Sequence, residues 1–436
     1  MNKKGAAQTY ELHEQNKQQE QKEQKEQNEQ RELHELEPQQ TADKLLTHIA
    51  HDALQSKKPY CAYVYDLELL RRHAESRVAA LPSFCRLYYA LKANSNDRII
   101  RELAPIVYGF ETASIGEIRK VRAQTPQARI LFGGPVKADA DLDEALLHGV
   151  QLIHVESRHE LLRLAEVARR RGVVARVLLR VNARGALPDA TLLMAGAHSQ
   201  FGIDERDIPD MLLLAARLPS VSVDGFHLHS LSNQLDERQH ALLVGRYCEL
   251  AVAWAETFRL KLRYLNAGGG IGVNYAELDS QFDWTRFTTL LQSDVYPKLP
   301  RNTELLFECG RYIAASCGRY AVEVMDVKRN HGRSFALVRG GTHHFRLPAS
   351  WRHSHPFRIV PIERWPYPFP RPELGQCEVT IAGELCTPKD VLASDVYVDR
   401  LRVGDIVVFD YAGAYGWAIS HHDFLSHPHP QLIFLP

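Results

Sequence analysis

No stretch of the 436-residue chain reaches the roughly 18 consecutive apolar residues that a bilayer-spanning helix needs. Net charge is missing as well: 53 Lys and Arg offset 53 Asp and Glu. That balance argues against nucleic acid and against a membrane surface as partners, because both call for an excess of basic residues. Cysteine is sparse and unpaired. The seven (Cys61, Cys85, Cys248, Cys309, Cys317, Cys377 and Cys386) form an odd set with no Cys-x-x-Cys, so neither a disulfide framework nor a zinc site is indicated. The N-terminus, Met-Asn-Lys-Lys and then a polar run, lacks the apolar block of a secretory signal. These absences predict a soluble, reduced, cytoplasmic protein.

What is present is a globular composition, 45% hydrophobic and 24% charged, long enough for two domains. From Glu14 to Glu32 every residue is Glu, Gln, Asn, Lys or Arg. Such a segment has nothing to bury against its ordering entropy, so residues 1–40 are expected to be a disordered tail. Beyond it, short β-rich runs alternate with helical patterns. The strand candidates are Arg86–Ala90, Ile106–Phe110, Ala128–Phe132, Leu152–Val155, Arg176–Val181, Val223–His229, Arg263–Asn266 and Glu304–Phe307. Between them lie patterns such as Ser157–Arg170, where Leu161, Leu162, Leu164, Ala165 and Ala168 build an apolar face. Eight β-α units in about 230 residues predict a closed (β/α)8 barrel over 41–318. After Gly318, alternation at Tyr320–Val327, Phe335–Val338, Cys377–Ala382 and Asp405–Asp410 predicts a β domain over 319–436. The strand-like segment 57–66 is expected to join that domain. Trp365-Pro-Tyr-Pro-Phe-Pro-Arg-Pro reads as a loop, because proline removes ladder donors.

In a parallel barrel the chemistry gathers at the C-terminal strand ends. Lys92 follows the first strand directly, where apolar neighbours are expected to lower its pKa and make it an amine nucleophile; a plain surface lysine is the alternative. His227 and His229 close the sixth strand on one face, and either fits an ordinary buried histidine. Gly268-Gly269-Gly270 after the seventh strand exposes backbone N–H groups that suit a phosphate or a tight turn. Glu308 and Arg311 follow the eighth strand, as charged site residues or as a simple salt bridge. In the β domain, Cys386 fits a buried, inert thiol, and Gly413-Ala-Tyr415 fits a turn. The closing His421-His-Asp-Phe-Leu-Ser-His427-Pro-His429 has no helical His-x-x-x-His register, and no metal is expected.

Lys92, His229, the triple glycine and Glu308 occur in order at the ends of separate strands. That constellation resembles the fold-type III pyridoxal-phosphate decarboxylases, the ornithine, arginine and diaminopimelate decarboxylase family, over about Tyr60 to Pro436. The matching motifs are Tyr89-Ala-Leu-Lys-Ala-Asn94, Glu111-Thr-Ala-Ser114-Ile-Gly-Glu117, Ser199-Gln-Phe-Gly202, His229-Ser-Leu-Ser232, Gly268–Gly270, Glu308-Cys-Gly-Arg311, Cys386 and Gly413-Ala-Tyr415. The resemblance implies pyridoxal 5'-phosphate held covalently by Lys92, with His229 stacked on its ring. Ser232, Gly268, Gly269, Gly270 and Tyr415 would hold the phosphate, Glu308 the ring nitrogen, and Arg180 would line the site. It also implies substrate contacts from Arg311, Thr387 and Tyr415, and a homodimer in which Cys386 of one subunit returns a proton in the other's site.

Four departures bear on substrate choice. Leu231, Cys309 and Glu111 stand where the family usually has Gly, Pro and Asp. Thr387 follows Cys386, where the diamine-forming enzymes place an acid that pairs with a distal ammonium. With the closing His-Pro-His-Pro, the chain is similar to the decarboxylases of citrate-based siderophore pathways, which implies a citrate-conjugated diamino acid as substrate. An ornithine- or diaminopimelate-type decarboxylase and an inactive regulatory relative are the alternatives.

Overall fold

The computed structural model describes residues 44–185 and 199–436, with the backbone of Leu192–Leu193. The expected 1–40 tail therefore lies outside the described residues, as do residues 41–43.

Eight parallel strands close into a barrel: Cys85–Ala90, Gly109–Thr112, Ile130–Phe132, Leu152–Val155, Ala175–Asn182, Val221–Leu228, Tyr264–Asn266 and Glu304–Cys309. Neighbours in sequence are neighbours in space, and the eighth strand pairs back on the first with Leu306 opposite Arg86 and Glu308 opposite Tyr88. Every expected strand is present, with ends displaced by a few residues. The second is the most displaced, because Ile106–Tyr108 still belongs to the turn after a helix.

The helices between strands follow local rules. Ser157 caps Arg158–Arg171 by accepting from the Glu160 N–H, and Gly172 ends it at φ +67°, a left-handed turn that glycine adopts without strain. Leu161, Leu164, Ala165 and Ala168 face the core as expected. Leu162 does not: its place on the helix turns it outward and leaves it 41% exposed.

The β domain is a sheet of Gly318–Asn330, Arg333–Val338, Phe357–Val360, Glu373–Ala382, Val391–Arg402 and Ile406–Phe409. Cys61–Asp66 crosses over to join it, antiparallel to Gly318–Asn330 with Tyr63 opposite Tyr320. On its other edge it pairs parallel to Gln431–Leu435. A strand from the first part of the described chain and one at its C-terminal end thus meet in one sheet. The Trp365–Pro372 stretch is a loop, as its prolines require. No helix among the described residues is long and apolar enough to cross a membrane.

The domains are stitched together beside Lys92. The Tyr415 N–H donates to the Ala93 carbonyl at 2.8 Å, and the Asn94 side-chain amide donates to the Gly413 carbonyl at 3.0 Å. Tyr415 sits at φ +54°, a left-handed conformation that costs a non-glycine residue about 1 kcal/mol and persists only because both neighbours fix it.

Candidate active site

Eight of the expected residues line one cavity at the C-terminal mouth of the barrel: Lys92, His229, Ser232, Gly269, Gly270, Glu308, Arg311 and Tyr415. Lys92 lies in a 3-10 turn just past the first strand, deep among protein atoms, yet 42% of its side chain faces the open cavity. Its ammonium contacts Glu111 at 3.1 Å.

The expectation of a lowered Lys92 pKa is overturned. Burial does pull it down, but Glu111, Tyr415 and Glu308 outweigh burial and raise it. The apolar flanks visible in the sequence are real, whereas the carboxylates come from other strands. Glu111 is itself pushed up to about 7, by burial first and by the Glu308 charge after it, against the pull of Lys92.

Behind the cavity Glu308 is almost wholly enclosed. Burial pushes its carboxyl up, but His227 and Lys92 overcome this and hold it well below the usual carboxylate range. Asn266 donates to it at 2.6 Å. Glu308 and Arg311 form no salt bridge; Arg311 donates to the Tyr275 hydroxyl at 3.0 Å and lies over the rings of Trp351, at 3.9 Å, and Tyr415, at 4.4 Å. An arginine held flat by aromatic faces is aimed without being neutralised, which keeps its charge for an anion.

The triple glycine is a cradle in space as well as in sequence. A Cβ on Gly269 would come within 2.4 Å of the Glu308 carbonyl, and one on Gly268, at φ +68°, within 2.6 Å of the His229 side chain. The Gly269 N–H reaches His229 Nδ1 at 3.3 Å. Burial, then the charges of Lys92 and Arg180, keep the His229 imidazole neutral. Arg180 is not on the cavity wall. It pairs with Glu156 at 2.7 Å and lies over Phe201, while the Gly202 N–H donates to the same carboxylate, so the Ser199–Gly202 motif folds onto the Arg180–Glu156 pair.

Cys386 and Thr387 are also away from this cavity. Cys386 is exposed rather than buried, and Thr387 is half-buried. Their loop is wrapped around Asp390, which is buried and accepts from the Thr342 and Leu385 N–H groups. A carboxylate satisfied in this way turns Cys386 outward on a rigid loop.

Three functional residues escape a reading of the sequence. His154, on the fourth strand, which carries no recognised motif, and Asn266, on the seventh just before the triple glycine, pack against Glu308. Lys137 is the third: a lysine after the third strand, fully buried, bonded to Glu160 at 2.5 Å and to the Gly134 and His154 carbonyls. With its protons committed it is no rival to Lys92. His154, His227 and Glu308 place ligand atoms within 4.8 Å of one another, but Lys92, Lys137 and Arg180 surround them, a poor setting for a cation.

The cavity therefore offers an amine, a glycine cradle with an unneutralised arginine, and an ionised carboxylate backed by buried imidazoles. The His227 nitrogens and His154 Nδ1 are buried without hydrogen-bond partners. This donor set fits a ligand with a carbonyl, a phosphate and a basic ring nitrogen, as pyridoxal phosphate has.

Comparison with known proteins agrees. Residues 67–315 match the family of pyridoxal-dependent decarboxylases through its pyridoxal binding domain. The chain is 48% identical to 2-[(L-alanin-3-ylcarbamoyl)methyl]-2-hydroxybutanedioate decarboxylase of Staphylococcus aureus, over 86% of this chain and 94% of that one. It is 30% identical to an L-glutamyl-acyl-carrier-protein decarboxylase of Niallia circulans, over 84% and 87%. Among solved structures, diaminopimelate decarboxylase of Helicobacter pylori, complexed with L-lysine, superposes with a TM-score of 0.77 at 24% identity, covering 88% of this chain and 93% of that one. With a site built for the cofactor and relatives matched over most of its length, this chain belongs to the pyridoxal-dependent decarboxylases.

Proposed function

We propose that the protein decarboxylates a diamino acid already joined to citrate, as a step of siderophore assembly, in a cytoplasmic homodimer. The observation that carries the substrate class is the 48% identity to an enzyme whose named substrate is such a conjugate: a 2-hydroxybutanedioate bearing an amide-linked alanin-3-yl group. Thr387 supports it from within the chain, since a neutral side chain there offers no partner to a distal ammonium. In this reading the barrel runs to residue 318 and the β domain from 319.

The bound cofactor supplies an electron sink for the bond from Cα to the carboxylate. The protein does the rest. Lys92 provides the amine that holds the cofactor, and Glu308 the negative charge that stabilises a protonated ring nitrogen. Gly268, Gly269, Gly270 and Ser232 cradle the phosphate, beside Tyr415 and Arg311. His229 closes one face, and Arg180 stiffens the rim through Glu156. Cys386 delivers a proton, and being exposed and away from its own chain's cavity it does so in the partner's site.

Mixing two inactive variants tests the shared site. Lys92→Ala and Cys386→Ala, unfolded and refolded together, pair at random; half the dimers are mixed, and each carries one intact site. Roughly a quarter of wild-type activity is expected to return. Mixtures that stay as inactive as the parents would show that each subunit works alone.

Glu111 governs how readily Lys92 gives up its proton. In Glu111→Gln the ammonium loses the partner that raises it, so free amine is present at lower pH. Cofactor uptake, followed by visible absorbance, is expected to proceed at a lower pH than in wild type. An unmoved or upward-shifted pH profile would count against this role.

A further inference from the structure

Glu308 is buried with only 3% of its side chain accessible, and a carboxylate in that position is costly unless a positive charge balances it. Among the described residues no lysine or arginine comes within 4 Å of it. What surrounds it is Asn266 at 2.6 Å, His227 Nε2 at 3.5 Å and His154 Nδ1 at 3.8 Å.

The protonation of this group can be read from its hydrogen bonds. The Gly268 N–H donates to Asn266 Oδ1 at 2.9 Å, which fixes the amide's orientation. Asn266 Nδ2 must then donate both to Glu308 and to His154 Nε2, 3.3 Å away. An accepting Nε2 makes His154 the neutral Nδ1–H tautomer, with its proton on the side of Glu308. His154 therefore carries no charge. The ring of His227 lies 4.1 Å from that of His154, and neither of its nitrogens has another partner.

We infer that His227 stores the proton that balances Glu308 before the cofactor arrives, and that His154, locked by Asn266, is the positioning residue that aims the carboxylate. When pyridoxal phosphate binds, the stored proton passes from the His227–Glu308 pair to the ring nitrogen. The pair is left with one proton fewer, and none is drawn from solvent. Lys92 and Glu111 from the cavity side, Arg180 and Lys137 beside His154, and the neutral His229 face the same group; the proton that Lys92 gives up on holding the cofactor is common to wild type and variant and cancels in the comparison. The inference rests on pyridoxal phosphate as the cofactor, and not on which substrate is decarboxylated.

The test is calorimetric titration of pyridoxal phosphate into cofactor-free full-length protein, at pH 8, in buffers of different ionisation enthalpy. The dependence of heat on buffer gives the protons taken up per site. His227→Asn is expected to take up close to one proton more than wild type, because the ring nitrogen must draw it from solvent. The visible band of the loaded variant is expected to titrate at least one pH unit lower. Equal proton uptake and an unmoved band would overturn the proposal. If His227→Asn does not fold, the His154 variants decide. His154→Asn keeps an N–H donor and is expected to retain cofactor affinity within about threefold, whereas His154→Leu is expected to lose at least tenfold. Equal losses in the two would overturn the positioning role. A wild-type protein that takes up no cofactor would overturn the cofactor itself.

Discussion

Lys92→Ala is expected to abolish both the visible absorbance of lysine-bound cofactor and carbon dioxide release, with a loss of roughly a thousandfold or more, while the fold survives. The amine is the group that holds the cofactor covalently, and a missing covalent group is not replaced by neighbours. Lys137, the nearby buried lysine, has its protons committed to Glu160 and two carbonyls, so it cannot stand in. Because Lys92 faces an open cavity, its truncation leaves no apolar void.

The variant does carry a pH-dependent cost, and its sign follows from Glu111. That carboxyl is already raised to about 7 by burial, and losing Lys92 raises it further. A carboxyl raised in the folded state contributes stability that is fully present below its unfolded pKa and is lost as pH rises through the folded one. The melting temperature of Lys92→Ala is therefore expected to lie closer to wild type at pH 6 than at pH 8. A borohydride-trappable adduct at any one other lysine in the variant would refute the assignment, and a melting curve that improves with pH would refute the account of Glu111.

The second large effect concerns substrate choice. Thr387 lies in the loop held by Asp390, one residue after Cys386, so it travels with Cys386 to whichever site that thiol serves. Thr387→Asp places a carboxylate there. A buried charge given or denied a partner is worth about 1–3 kcal/mol, or about 5- to 150-fold in kcat/KM. Activity on ornithine is expected to rise relative to the citrate conjugate by a factor in that range. Part of the change comes from repulsion between the new carboxylate and those of the conjugate. The quantity to measure is the ratio of kcat/KM for ornithine to that for the citryl conjugate of 2,3-diaminopropionate, in wild type and variant. A wild type that already prefers ornithine, or a ratio the substitution leaves alone, would end the citrate reading and leave decarboxylation intact.

Much of this protein is written locally. Eight β-rich runs separated by helical periods specify a parallel barrel, because each run carries its own pattern and each crossover its own caps, as Ser157 and Gly172 do for one helix. Motif residues at strand ends are likewise legible: Lys92, His229, Gly268–Gly270 and Glu308 converge because barrel closure brings all strand ends to one mouth. Charge states are not legible in this way. The apolar flanks of Lys92 suggest a lowered pKa, but the sum is decided by Glu111 and Glu308, which arrive from other strands. The pairing of Asn266 and His154 with Glu308 is equally silent in sequence, since 42 and 154 residues separate those partners from it and nothing local to either names its partner. The exposure of Cys386 depends on Asp390 and Thr342, which tie its loop to a turn more than forty residues away. Local pattern therefore determined the elements and their order, which hydrogen bonds between near neighbours can encode. Electrostatics within the cavity was decided only by tertiary structure, because burial and opposing charges act through space between residues that share no local pattern.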